Sequence, residues 1–134
     1  MRRFLILPLV SLVAIVTATV AFGHWETDDR GVLLVIAQAP AKARSWANPY
    51  EAQPDAIQAG AKLFRQHCAE CHGEDALGIG RAVDLHSAGV QNATSGELAW
   101  FLGNGNLAAG MPSWSGLPEQ RRWQIVAYLK TLDR

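Results

Sequence analysis

The chain has 134 residues, a length that suits a single domain. Lysine plus arginine and aspartate plus glutamate each number 12, so the formal charge is zero and no basic surplus points to nucleic acid. Five tryptophans are many for this length, and Trp25 and Trp46 fall outside the domain that the later sequence predicts.

Arg2-Arg3 precede Phe4 to Phe22, 19 residues without a charge. A signal peptide has an apolar region of about 7–15 residues, whereas a membrane-spanning helix needs roughly 17–25. This stretch suits the second. Arginines at its start favour a cytoplasmic N-terminus. Trp25 follows at the expected interface, with Glu26, Asp28 and Asp29 beyond it. Residues 1–23 therefore read as a retained anchor that leaves the rest of the chain outside the cytoplasm. The small residues of Ala18 to Gly23 keep a cleaved signal sequence, and a soluble periplasmic product, as the alternative.

Residues 24–53 read as a linker containing one short apolar run, Val32 to Ala37. That run is too short to span a membrane. A strand, a membrane-surface segment and a docking patch remain open for it. Pro40 to Pro54 is rich in alanine, proline and polar residues, as linkers are.

The domain is predicted over residues 54–134. Asp55 is placed to cap a helix running toward Gln66. Ile57, Ala61, Phe64 and Cys68 fall at helical spacing and give it an apolar face. Gly60 lies beside that face, where glycine costs about 1 kcal/mol relative to alanine, so close packing is its expected purpose.

Cys68-Ala69-Glu70-Cys71-His72 comes next and uses both cysteines of the chain. C-x-x-C-H is the attachment pattern for c-type haem. Residues three apart share a face of a helical turn, so Cys68 and Cys71 can each meet one haem vinyl group. His72 can then bring an imidazole nitrogen to the iron from the same side. A thioredoxin-like redox pair needs a βαβ setting, and no strand–helix alternation surrounds this one. A structural zinc site needs four ligands, with only His67 and His86 available to add. A structural disulfide of a small exported domain is the third competitor.

Gly73 to Gln91 reads as loop. Thr94-Ser95-Gly96-Glu97 opens a helix with a capping-box pattern. Leu98, Phe101 and Leu102 give it an apolar face, and Gly103 is placed to end it. The stretch Gly103 to Asn106 reads as a flexible connection. It leads to Met111, the only methionine besides Met1. A thioether suits the iron of an electron-transfer haem, and His/Met ligation raises the reduction potential. Pro112 pushes Met111 toward an extended conformation, which puts it on a stiff loop. A core filler is the plain alternative for Met111, and His86 is its competitor for the iron. Trp100, Trp114 and Arg81 are candidate partners for a haem propionate. The last helix is predicted from Pro118, with Ile125, Val126, Leu129 and Leu132 at helical spacing and Trp123 and Tyr128 adding aromatic surface.

Taken together, Cys68-Ala-Glu-Cys71-His72-Gly73, Gly78-Ile79-Gly80, Gly110-Met111-Pro112 and the helix of Trp123 to Leu129 resemble the small class I c-type cytochromes. The likeness runs from about Ala52 to Leu132. It implies an all-α, cytochrome c-like fold wrapping one covalent haem, with the first and last helices crossing. It also implies contacts of Gly60 and Phe64 with the last helix, and His72 and Met111 as axial ligands. The sequence departs from the family at one place. A proline whose carbonyl usually accepts a hydrogen bond from the proximal imidazole is missing from Ala82-Val83-Asp84-Leu85-His86. The Val83 carbonyl can serve instead, less rigidly set, and this second-shell bond tunes the ligand.

From Glu51 onward only 84 residues remain, near the size at which an apolar core alone suffices. The haem-free protein is therefore expected to be largely unfolded. With both axial positions filled by the protein, the expected function is one-electron transfer between respiratory or periplasmic redox proteins, with no substrate turned over. A haem subunit of a larger membrane oxidoreductase is the alternative, and a haem-based ligand sensor a third reading.

Overall fold

The computed structural model describes residues 34–132. The anchor reading of Phe4 to Phe22 falls within residues 1–33, which lie outside the described residues. Among those described, no helix is long and apolar enough to cross a membrane.

The described chain is helical: α1 (Ala41–Arg44), α2 (Pro54–His67), α3 (Ala69–His72), α4 (Ala88–Gln91), α5 (Ser95–Asn104), a 3-10 turn at Leu107–Ala109, and α6 (Glu119–Leu129). Among the described residues the one β-type pairing outside helices is an isolated bridge between Asn106 and Met111.

Helix α2 begins one residue earlier than its expected cap. Pro54 is the first helical residue and Gln53 precedes it as the cap position, so Asp55 sits within the first turn. There its carboxylate still faces the positive end of the helix dipole. The main packing of the fold is α2 across α6. Gly60 makes it possible. A Cβ built there would lie 1.9 Å from the Gln124 carbonyl oxygen, so the two backbones meet with no side chain between them. Phe64 then stacks on Tyr128 with ring centroids 5.3 Å apart. Both family-implied contacts are therefore present. Phe64, Ile125 and Val126 are fully buried, each burial removing a large apolar side chain from water for about 1.5–3 kcal/mol.

Helix α5 carries the expected capping box. Thr94 accepts from the Glu97 amide, and the Glu97 carboxylate accepts from the Thr94 amide. The helix runs past Gly103 and ends at Asn104, with Gly105 as its cap at φ +69°. Gly103 stays helical because the chain closes two residues later, where the Gly105 amide donates to the Phe101 carbonyl. Helix α6 starts at Glu119, one residue after the expected Pro118, which caps it. Within the expected loop of Gly73 to Gln91, the last four residues form α4.

The stretch read as a linker is not one over its described part. Leu34 to Ile36 is helical, and Ile36 is buried in the main core. The strand reading of this run is therefore wrong where it is described. Residues 40–53 lie against α5 and α6. Ala39 and Ala43 are buried, Arg44 pairs with Glu97 at 3.2 Å, and the buried Asn48 amide donates to the Trp123 carbonyl at 2.9 Å. Ser95 donates to Glu51 at 3.0 Å. Composition misled here because alanines and single polar groups can dock as well as drift. Asn48 has no periodic pattern to announce its long-range partner, 75 residues away.

Candidate functional site

Cys68 ends α2 and begins α3, so the C-x-x-C-H segment is one tight helical turn. The amides of Cys71 and His72 both donate to the Cys68 carbonyl, at 3.1 and 2.9 Å. Both cysteines are free thiols. Cys68 is buried and Cys71 exposed. Burial, with a smaller contribution from neighbouring Cys71, pushes the Cys68 thiol up to about 11.

His72 is half-buried, and burial lowers its pKa against the opposing pull of a hydrogen bond to Val83. Its Nδ1 lies 3.1 Å from the Val83 carbonyl oxygen. A carbonyl only accepts, so Nδ1 carries the hydrogen and Nε2 keeps its lone pair. That is the form in which an imidazole binds a metal. The lowered pKa keeps the ring in this neutral form to a lower pH than an ordinary histidine, until protonation at still lower pH opposes it. The role anticipated for the Val83 carbonyl is thus met without a proline.

Met111 lies on a short clasp. The Asn106 amide donates to the Met111 carbonyl at 2.8 Å, and the Met111 amide returns a bond to Asn106 at 3.0 Å. The stretch before it, expected to be flexible, is therefore fastened. Trp114 extends the clasp by donating its amide to the Leu102 carbonyl at 2.8 Å. Met111 is half-buried and packs on the main core. Trp114 faces His67, ring centroids 5.3 Å apart, and its buried indole Nε1 has no hydrogen-bond partner within the protein.

The other candidates separate cleanly. Both nitrogens of His86 face carbonyls, Nδ1 toward Leu132 and Nε2 toward Asp75, each at 2.9 Å. His86 is thereby occupied away from the iron-ligand role for which it competed. Among the described residues no group of three or more His, Cys, Asp and Glu is placed to hold a metal ion, which leaves a structural zinc site without its ligands. Arg81 is exposed and Trp100 half-buried.

The residues present fit a c-type haem. Two thiols and an oriented imidazole share one turn. The exposed apolar side chains of Leu77, Ile79 and Leu107 lie on the loops that flank Cys71 and Met111. Trp114 offers a buried N–H donor without a partner, of the kind a haem propionate takes.

A family model described as cytochrome c oxidase, cbb3-type, subunit III matches residues 55–129. The chain belongs to the class I c-type cytochromes. Over 94 residues it is 30% identical to cytochrome c550 of Pseudomonas aeruginosa (strain PAO1), covering 65% of this chain and 63% of that protein. Over 108 residues it is 34% identical to a quinohemoprotein alcohol dehydrogenase, ADH IIB of Pseudomonas putida, covering 79% of this chain and 15% of that enzyme. The chain thus spans under two thirds of the length of either relative. Among solved structures it resembles cytochrome cL of Methylophaga aminisulfidivorans MPT, with a TM-score of 0.54 and 26% identity over 62% of this chain and 57% of that one. The cytochrome c domain implies haem c and electron transfer with redox partners.

Proposed function

We propose that this cytochrome domain is a one-electron carrier working outside the cytoplasm. Cys68 and Cys71 would hold a single haem through thioethers, and His72 and Met111 would supply its iron ligands. The observation that carries this reading is the His72 ring, whose Nδ1 is committed to the Val83 carbonyl so that Nε2 is left for a metal. When bound, the haem supplies the one-electron couple. The protein's own residues hold and tune it. Cys68 and Cys71 fix it to α3, the Val83 carbonyl orients His72, and the Asn106–Met111 clasp presents a soft thioether. With both iron ligands supplied by the chain, no position would be open for a substrate, and the domain would pass electrons without turning a substrate over.

The anchor reading of residues 4–22 complements this function. A tether raises the effective concentration of a carrier near its membrane partners. A second reading, that the chain serves inside a larger oxidoreductase, is favoured by the oxidase-subunit description of the matching family and by the dehydrogenase relative. Co-purification from membranes in mild detergent separates the two: a stable complex supports the subunit, an isolated tethered chain the carrier. The test of the carrier itself is an optical spectrum of purified protein, oxidised and reduced, with a denaturing gel. A low-spin spectrum that changes reversibly, and haem that stays with the denatured chain, are expected. Haem released on denaturation contradicts covalent attachment.

A further inference from the structure

We propose that Gly78 and His86 are positioning residues for His72: together they fix the Val83 carbonyl that accepts its ring N–H. This rests on the reading of His72 as an iron ligand. Val83 lies in a stretch without regular secondary structure, so nothing local determines where its carbonyl points. The constraint comes from across the loop.

Gly78 meets the backbone of both residues that share this hydrogen bond. Its amide donates to the carbonyl of His72 itself at 2.8 Å. A Cβ built on it would lie 2.3 Å from the Ala82 carbonyl oxygen and 3.0 Å from the carbonyl carbon and oxygen of Val83. The distance between the ligand's backbone and its acceptor is therefore spanned by one glycine, at φ +86°. No other residue type fits that contact or prefers that conformation. The next amide, of Ile79, donates to Cys71 at 2.9 Å and keeps the loop folded against α3.

His86 locks the base of the same loop. Its ring lies between the Asp75 and Leu132 carbonyls, 2.9 Å from each, so either tautomer ties the loop to itself or to the end of the chain. Beside it the Leu85 amide donates to the carbonyl of the fully buried Ala76 at 2.9 Å. Val83 is carried between these two fastenings, at Gly78 and at Leu85-His86.

The consequence is electronic. A hydrogen bond from Nδ1–H to a carbonyl makes the imidazole a more basic ligand, which favours ferric iron and lowers the reduction potential. Displacing the Val83 carbonyl should raise the potential while leaving the ligands in place.

The test uses the full-length haem protein and three variants, Gly78→Ala, His86→Ala and Gly80→Ala. Gly80 has φ +63°, but a Cβ there meets nothing within 4 Å, so its variant imposes the backbone strain without the contact. Reduction potential is measured along with solvent exchange of the His72 ring proton by NMR, and the optical spectrum confirms unchanged ligation. Gly78→Ala should raise the potential and speed exchange roughly tenfold, as expected for losing about one hydrogen bond. His86→Ala should move both in the same direction by less, and Gly80→Ala should move neither. Equal effects of Gly78→Ala and Gly80→Ala, or unmoved values with ligation intact, overturn the proposal. If Gly78→Ala takes up no haem, His86→Ala decides alone, and an unmoved potential there overturns it. A parent spectrum without histidine ligation overturns the functional reading instead, and this inference with it.

Discussion

Phe64 and Val126, where α2 crosses α6, are 1% and 0% exposed, whereas Ile79 and Leu107, on the loops around Cys71 and Met111, are 59% and 80% exposed. The first region is closed by protein atoms alone. Gly60 brings the helix backbones together, Phe64 and Tyr128 stack, and the residues before α2 cover the far side through Asn48 and Arg44. The second region carries two free thiols and an imidazole with a free lone pair on and beside α3, and a half-buried thioether and an unpartnered indole N–H on the segment after α5. The two halves depend on each other. One half supplies a packed frame, and the other carries the proposed ligands and apolar surface suited to a large flat cofactor. The frame belongs to a stretch of 84 residues from Glu51 onward, near the size at which an apolar core alone suffices.

Removing the cofactor should cost the molecule most. The double variant Cys68→Ser, Cys71→Ser should lose covalent haem and most of its helicity by circular dichroism, because the frame is too small to stand alone. Native helicity with a cooperative melt would show that the α2–α6 region needs no help. Gly60→Val acts on the frame instead. Its side chain must displace the Gln124 carbonyl, so urea unfolding should show about 3 kcal/mol of destabilisation, the upper range for overpacking. The reduction potential of the surviving folded protein should stay at the parent value. Asn48→Ala should cost less, about 1–2 kcal/mol, by removing the donor to the buried Trp123 carbonyl. Unchanged stability in Asn48→Ala would show that residues 40–53 rest on the domain without bracing it.

The sequence was most legible where a pattern is short and its chemistry strict. Cys68, Cys71 and His72 announce themselves by spacing, Thr94 and Glu97 by the capping box, and Met111 by being the only internal methionine. Gly60 was legible because a glycine inside an amphipathic helix asks for a reason. What could not be read depends on contacts between distant segments. Asn48 reaches Trp123, and His86 reaches Leu132, through single polar groups with no periodicity. Gly78 was visible as part of a glycine-rich stretch, but its position against Val83 exists only once the loop has folded. The end of α5 shifted from Gly103 to Gly105 for a related reason: two nearby glycines compete, and the fastening of Asn106 to Met111 decides between them.

On the proposed reading, His72 and Met111 of the chain itself fill both axial coordination positions of the haem iron. Exposing the reduced protein to carbon monoxide at neutral pH, with Met111→Ala in parallel, tests it directly. The parent spectrum should stay unchanged on the timescale of mixing, while Met111→Ala should bind the gas promptly because its sixth position has lost the thioether. Rapid binding by the parent would contradict ligation by Met111 and reopen the ligand-sensor reading.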